Sequence, residues 1–225
     1  MRWLLVLGLA VISSIALYVV LSWPDVAALA ENPPETTAFI ERARSRGVDV
    51  DWRWVPYDSI SPNLKKAVLV AEDFSFFSHN GFDTHEIKIA ARDAVKGKRV
   101  RGASTITQQL AKNLWLSPSR SPLRKIKEVI LTRQLEHTLS KPRILELYLN
   151  VVQVGPNIYG AEAAARHYFG VPAADLNADQ AAQLAAALPR PSTWHPGCGR
   201  HGYARSVSRI QARMEQADWL DRLLN

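Results

Sequence analysis

A length of 225 residues allows one ordinary domain with an appendage, and ample chain to bury a core. The single cysteine, Cys198, excludes an internal disulfide, so cysteine usage argues neither for nor against an extracytoplasmic location. The net charge of +7 is uneven: Lys88 to Arg143 holds 14 basic residues against three acids, a local +11 that leaves −4 on the remainder and points to an anionic partner. A solvated charged face would account for many of these side chains whatever the function.

The chain opens on "WLLVLGLAVISSIALYVVL", 19 residues from Trp3 to Leu21 without a charge, long enough to cross a bilayer as a helix. Arg2 precedes it, and Trp23, Pro24 and Asp25 follow. This predicts a cytoplasmic amino terminus, tryptophans at both interfaces, and an outward-facing remainder. A cleaved signal peptide competes, because "ALA" at 28–30 resembles a cleavage site. The apolar core is long for a signal peptide, and residues 1–23 are expected to be an uncleaved transmembrane anchor. Beside an anchor the anionic partner is a lipid phosphate rather than a nucleic acid, and no nucleic-acid reader motif is present. Residues 24–58 read as a juxtamembrane connector, with "VDVDWRWVP" at 48–56 alternating enough for one short strand or an extended linker.

From 59 to 225 the signals are those of one mainly α domain. Ser61 and Pro62 open a helix whose Leu64, Val68 and Leu69 recur at helical spacing and whose last turn holds Glu72. Thr105 with Gln108 fits a capping box before "ITQQLAKNLW". Ser121 and Pro122 start another helix carrying Ile126, Val129, Ile130 and Leu135; Ser140, Lys141 and Pro142 break it and begin "RILELYLN". Asn177 with Gln180 caps "ADQAAQLAAAL".

Within this helical pattern "AEDFSFFSHNGFD", residues 71–83, sets Glu72 and Asp73 directly before Phe74, Phe76 and Phe77. A carboxylate in apolar surroundings at a helix C-terminus has its proton affinity raised, which makes either acid a candidate proton acceptor. The competing reading is that one acid caps or pairs locally and the other faces water. A second acid, Glu128 in "RKIKE", follows Arg124 by four residues and Lys125 by three, the spacing of an ordinary surface ion pair as well as of a functional cluster. Between the two acids "RGASTITQQLAKN" gathers Arg101, Ser104, Thr107, Gln108, Gln109 and Lys112, polar groups suited to a sugar or a phosphate. Trp115 and Leu116 either dip into a membrane interface or pack in the core.

Taken together, these segments resemble the peptidoglycan glycosyltransferases, glycosyltransferase family 51. "EDFSFFSHNG" fits that family's E-D-x-x-F-x-x-H-x-G pattern, and "RGASTITQQLAKN" resembles its second motif. "RKIKEVILTRQLE", "KPRILELYLN" and "GPNIYGAEAAARHYFG" follow in family order, and "LPRPSTWHP" with "GYARSVSRIQARM" is similar to how such domains finish. Val171 departs from the lysine often found after "YFG", which removes one phosphate contact from the expectation, and "VVQVG" is idiosyncratic. No fused transpeptidase follows, so the expectation is a monofunctional member with a mainly α, lysozyme-like glycosyltransferase domain behind one transmembrane helix.

The resemblance implies polymerisation of a lipid-linked disaccharide-pentapeptide into β-1,4 glycan with release of polyprenyl pyrophosphate, at the periplasmic face of a bacterial inner membrane. It implies Glu72 as the base, Asp73 as an organiser of local hydrogen bonds and His79 as a residue that structures the turn. Glu128 would orient the donor phosphates, directly or through a divalent cation such as Mg or Mn, with no dedicated metal ligands. Arg101, Lys112, Arg124 and Lys125 would meet the pyrophosphate, and Ser104, Thr105 and Gln108 would line the cleft. The expected partners are the precursor, the growing glycan strand, the membrane and other wall-synthesis or division proteins. A lysozyme-like lytic enzyme and a non-catalytic wall scaffold are the alternatives.

Overall fold

The computed structural model describes residues 22–96, 104–119 and 121–224, together with positions 3, 7, 13, 14 and 17. Arg101 and most of the expected anchor lie outside the described residues. Among the described residues no helix is long and apolar enough to cross a membrane.

The helices are α1 (Ala38–Arg44), α2 (Pro62–Glu72), α3 (Thr84–Val95), α4 (Ile106–Trp115), α5 (Pro122–Thr138), α6 (Lys141–Val151), α7 (Ala161–Phe169), α8 (Ala178–Ala187), α9 (His201–Glu215) and α10 (Asp221–Leu224). The five starts expected from the sequence follow the predicted chemistry, because a short polar side chain ahead of the first turn accepts an N–H that the helix cannot satisfy itself. Ser61 accepts from Asn63 N, Ser121 from Arg124 N and Ser140 from Arg143 N. Reciprocal capping boxes join Thr105 with Gln108 and Asn177 with Gln180. Helix α3 was not among the predicted elements, although Asp83 signals it: its Oδ1 accepts from His85 N and Glu86 N, each at 2.9 Å.

Helix α2 packs against α8 and α9, and α4 against α5 and α6. The apolar positions that predicted α2 are all buried, and so are its lysines. Lys65 lies 3.6 Å from the centre of the Tyr57 ring, and Lys66 reaches Asp218 and Asp221 near the carboxy terminus. Val171, at the position where lysine was expected, packs against the core.

Residues 24–58 are built into this body. Strand β1 (Asp51–Trp52) pairs parallel with β3 (Ile158–Tyr159), which pairs antiparallel with β2 (Gln153–Gly155). Trp52 donates to the Asn150 carbonyl, and the Asn150 side chain exchanges two hydrogen bonds with the Val55 backbone. Val26, Leu29 and Ile40 are buried, and Arg143 donates to the carbonyls of Leu29 and Asn32. Cleavage after Ala30 would therefore strip two aliphatic side chains from the core. Each such burial contributes roughly 1.5–3 kcal/mol. A chain beginning at residue 22 is expected to keep the urea midpoint of the full chain in detergent, and one beginning at residue 31 to lose about 3 kcal/mol. Equal midpoints would show that Val26 and Leu29 add nothing.

Leu116 belongs to the core at 3% exposure, which is the core one of its two expected readings, and Trp115 is half-buried against that core. The apolar side chains that do face outward nearby are Leu123, Ile126 and Ile130, one stripe along α5.

Candidate active site

Glu72 is the last residue of α2, where unpaired carbonyls already disfavour an anion. Removal from solvent pushes its carboxyl above the ordinary 4.5, repulsion from Asp73 adds to this, and the Gln109 hydrogen bond and Lys112 charge oppose it. Gln109 Nε2 donates to Glu72 Oε2 at 2.7 Å, and Gln109 Oε1 accepts from the Tyr148 hydroxyl at 3.0 Å. The aromatic setting differs from the sequence expectation. Of the three phenylalanines only Phe76 is fully buried; Phe74 is exposed on the cleft wall, edge-on to Trp219 at 5.5 Å with the Arg213 guanidinium over its ring.

Asp73 is buried and bonded on both sides. Its carboxylate contacts His79 Nε2 at 2.9 and 3.2 Å, and its Oδ2 accepts from Ile106 N, so the first motif holds the start of α4. Gly81 N donates to His79 Nδ1 at 3.1 Å, which makes Nδ1 the acceptor and leaves the proton on Nε2, facing Asp73. His79 is thus spent on the turn. The turn needs glycine at its end: Gly81 has φ +86°, and a Cβ there would lie 2.7 Å from Thr132 Cγ2.

A cleft of about 660 Å³ runs past Glu72 and is lined by Asp73, Phe74, Ser104, Thr105 and Arg213 among others. Ser104 is exposed at its edge. Thr105 donates to the Gly81 carbonyl and Gln108 turns its side-chain carbonyl back to Thr105 N, so both serve the start of α4.

Glu128 is 4% exposed, which sets it apart from a surface ion pair. Arg124 Nη1 and Lys125 Nζ each bond one of its carboxylate oxygens, and Arg124 Nε is buried without a partner among the described residues. Lys112 feels both acids. Burial pushes its ammonium below the usual 10.5, reinforced by Arg124 and Lys125 and opposed by Glu128 and Glu72. The structure therefore brings Glu72, Glu128, Lys112, Arg124 and Lys125 into one electrostatic unit. Gln109 and Tyr148 are the members that sequence reasoning missed. Gln109 stood among the polar residues of its motif, whereas Tyr148 reads as a core aromatic.

A proton acceptor beside clustered cations is the equipment of an enzyme that transfers a group away from a charged leaving group. The profile of the family described as Transglycosylase matches residues 35–217. The chain is similar to the biosynthetic peptidoglycan transglycosylase of Thiobacillus denitrificans, at 46% identity over 220 residues covering 95% of each chain. It is also similar to proteins of the same description from Alcanivorax borkumensis, at 50% over 84% of this chain and 78% of the relative, and from Janthinobacterium, at 42% over 96% and 95%. The chain belongs to the transglycosylase family and is a glycosyltransferase.

Proposed function

We propose that the chain polymerises a lipid-linked disaccharide-pentapeptide into the β-1,4 glycan strands of peptidoglycan and releases polyprenyl pyrophosphate. The observation that carries this reading is the buried Glu128 held between Arg124 and Lys125, with the half-buried Lys112 placed where it feels both that acid and Glu72. The acceptor's 4-hydroxyl attacks C1 of the donor sugar, and its proton passes to Glu72. The C1–O bond to the pyrophosphate breaks, and the electron pair leaves on the phosphate oxygen. Lys112, Arg124 and Lys125, with Arg101 as a further candidate, stabilise that charge; Glu128 holds Arg124 and Lys125 in place for it.

A divalent cation bridging the donor phosphates is the other proposed source of charge. Both Glu128 oxygens are engaged by cations, and among the described residues no group of three His, Cys, Asp or Glu could hold a metal. The residues present do not fit a protein-held ion, and no step is routed through one.

The inner membrane is the proposed location, with the catalytic domain periplasmic. The uncharged run Trp3–Leu21 supports it, as do the exposed Trp3, Leu7 and Leu17 within that run. Trp23 donates to Gln134 on α5, the helix that exposes Leu123, Ile126 and Ile130.

Incubation of the purified chain with labelled lipid-linked precursor tests the reading: polymer should accumulate, and its absence under conditions where the precursor is bound would overturn it. Glu128→Gln is expected to lower kcat/KM at least about tenfold, mostly through KM, because it unbalances the cations that receive the donor. Wild-type kinetics would return Glu128 to a purely structural pairing.

A further inference from the structure

Gln109 is the direct support of Glu72, and what fixes Gln109 is a residue that touches no part of the cleft. Tyr148 sits on α6 with its side chain fully buried, and its hydroxyl makes one hydrogen bond among the described residues, to Gln109 Oε1. A glutamine amide presents an acceptor at one end and donors at the other, and the hydrogen-bond network decides which end faces which partner. Two orientations are conceivable here. In one, Tyr148 donates to Oε1 and Nε2–H points at Glu72. In the other, the amide is turned, its carbonyl faces Glu72, and the buried Tyr148 hydrogen has no acceptor. Burial makes that second arrangement unfavourable.

We propose that Tyr148 is a positioning residue for the transfer reaction: its buried hydroxyl fixes the Gln109 amide with N–H toward Glu72 Oε2, leaving Oε1 to take the acceptor's proton. Among the described residues Glu72 Oε1 has no hydrogen-bond partner. The inference rests on the reading of Glu72 as the base, and it adds the device that keeps this carboxylate ionised despite its surroundings. Burial holds the Tyr148 phenol well above its ordinary value of 10.0, so it stays a donor throughout the working range. The charged and titratable groups facing Glu72 are Asp73 beside it, Lys112 from α4 and Tyr148 from α6. His79, Asp83, His85, Glu86 and Arg213 lie elsewhere on the cleft wall. None of these other groups is bonded to Gln109, so the amide's direction is set by Tyr148.

Tyr148→Phe keeps the ring in its packing and removes the donor. Freed, Gln109 can turn its carbonyl to Glu72, which favours the protonated acid. The Glu72 carboxyl titration, followed by 13C NMR of the full chain in detergent against Glu72→Gln as the blank, is expected to move up by about one pH unit, a tenfold change in acid dissociation constant. The acid limb of the kcat profile should move with it, and the rate should recover toward wild type at higher pH. Gln109→Met should give a similar shift, and the double variant no more than either single one, because both act through one hydrogen bond. A wild-type Glu72 midpoint in Tyr148→Phe, or additive shifts in the double variant, would overturn the inference. A shifted midpoint with an unmoved rate limb would uphold the positioning by Tyr148 and count against Glu72 as the base. The Gln109→Met arm gives the same reading should Tyr148→Phe fold poorly.

Discussion

Glu72→Gln is expected to abolish polymer formation, with a loss of at least about a hundredfold, the lower end of what general base catalysis contributes. The substitution preserves shape, and the new amide carbonyl can still accept from Gln109. Its effect on stability should run the other way. The folded chain holds the Glu72 proton more tightly than the unfolded chain does, because burial raises the carboxyl above 4.5. The group therefore favours folding most below that ordinary value, and its contribution is lost as pH rises through the folded midpoint. At pH 7 an ionised Glu72 costs stability, and glutamine does not. Thermal melts at pH 7 should place Glu72→Gln at or above wild type, with the difference fading toward pH 4. An inactive variant that melts well below wild type at pH 7 would attribute the loss to misfolding.

Gly160→Ala should produce the largest loss of stability. Gly160 joins β3 to α7 with φ +83°, and a Cβ there would lie 2.5 Å from the carbonyl oxygen of Asn150. Backbone strain of this kind costs about 1–3 kcal/mol, and the clash adds to it because the obstacle is main chain at the end of a packed helix. Asn150 cannot move aside cheaply: it is fully buried, and its amide bonds Val55 and the Glu146 carbonyl. A loss of roughly 3–5 kcal/mol is expected, a large share of the 5–15 kcal/mol typical of a domain. Urea denaturation followed by circular dichroism measures it, and a wild-type midpoint would show that α6 yields more readily than its hydrogen bonds imply. Because Tyr148 lies two residues before Asn150 on the same helix, any displacement would also disturb the support of Glu72.

Much of this architecture is legible in the sequence because its helix starts are written in local chemistry. Ser61, Thr105, Ser121, Ser140 and Asn177 each cap a helix where the sequence predicts one. The sheet was less legible: β1 has two residues, and its partner lies more than a hundred positions away, so alternation alone could not separate a strand from an extended linker. The same holds for Val26 and Leu29, which are buried far in sequence from Arg143, the residue that bonds the Leu29 carbonyl. Within the site, an acid beside phenylalanines at a helix end pointed to Glu72, and charge spacing to Glu128 with Arg124 and Lys125. It could not show that Glu128 is buried, because Arg124 and Lys125 at those offsets serve a surface helix equally well. Tyr148 was invisible for the opposite reason. Its helix presents it as core, and only the fold brings its hydroxyl to the one glutamine that touches Glu72.

In the proposed reaction Glu72 deprotonates a hydroxyl for a single displacement at an α-linked lipid pyrophosphate, which must invert the anomeric carbon. Asp73 and Glu128, the acids nearest the reaction in this scheme, are committed elsewhere, Asp73 to His79 and Ile106 and Glu128 to its cations. The most direct measurement is product analysis, by NMR and mass spectrometry, of the full chain supplied in parallel with lipid-linked precursor and with finished, lipid-free glycan. Wholly β-1,4-linked polymer from the precursor and an unchanged glycan are expected. Glu72-dependent muropeptide fragments from the lipid-free glycan, or retained α linkages in the polymer, would contradict it.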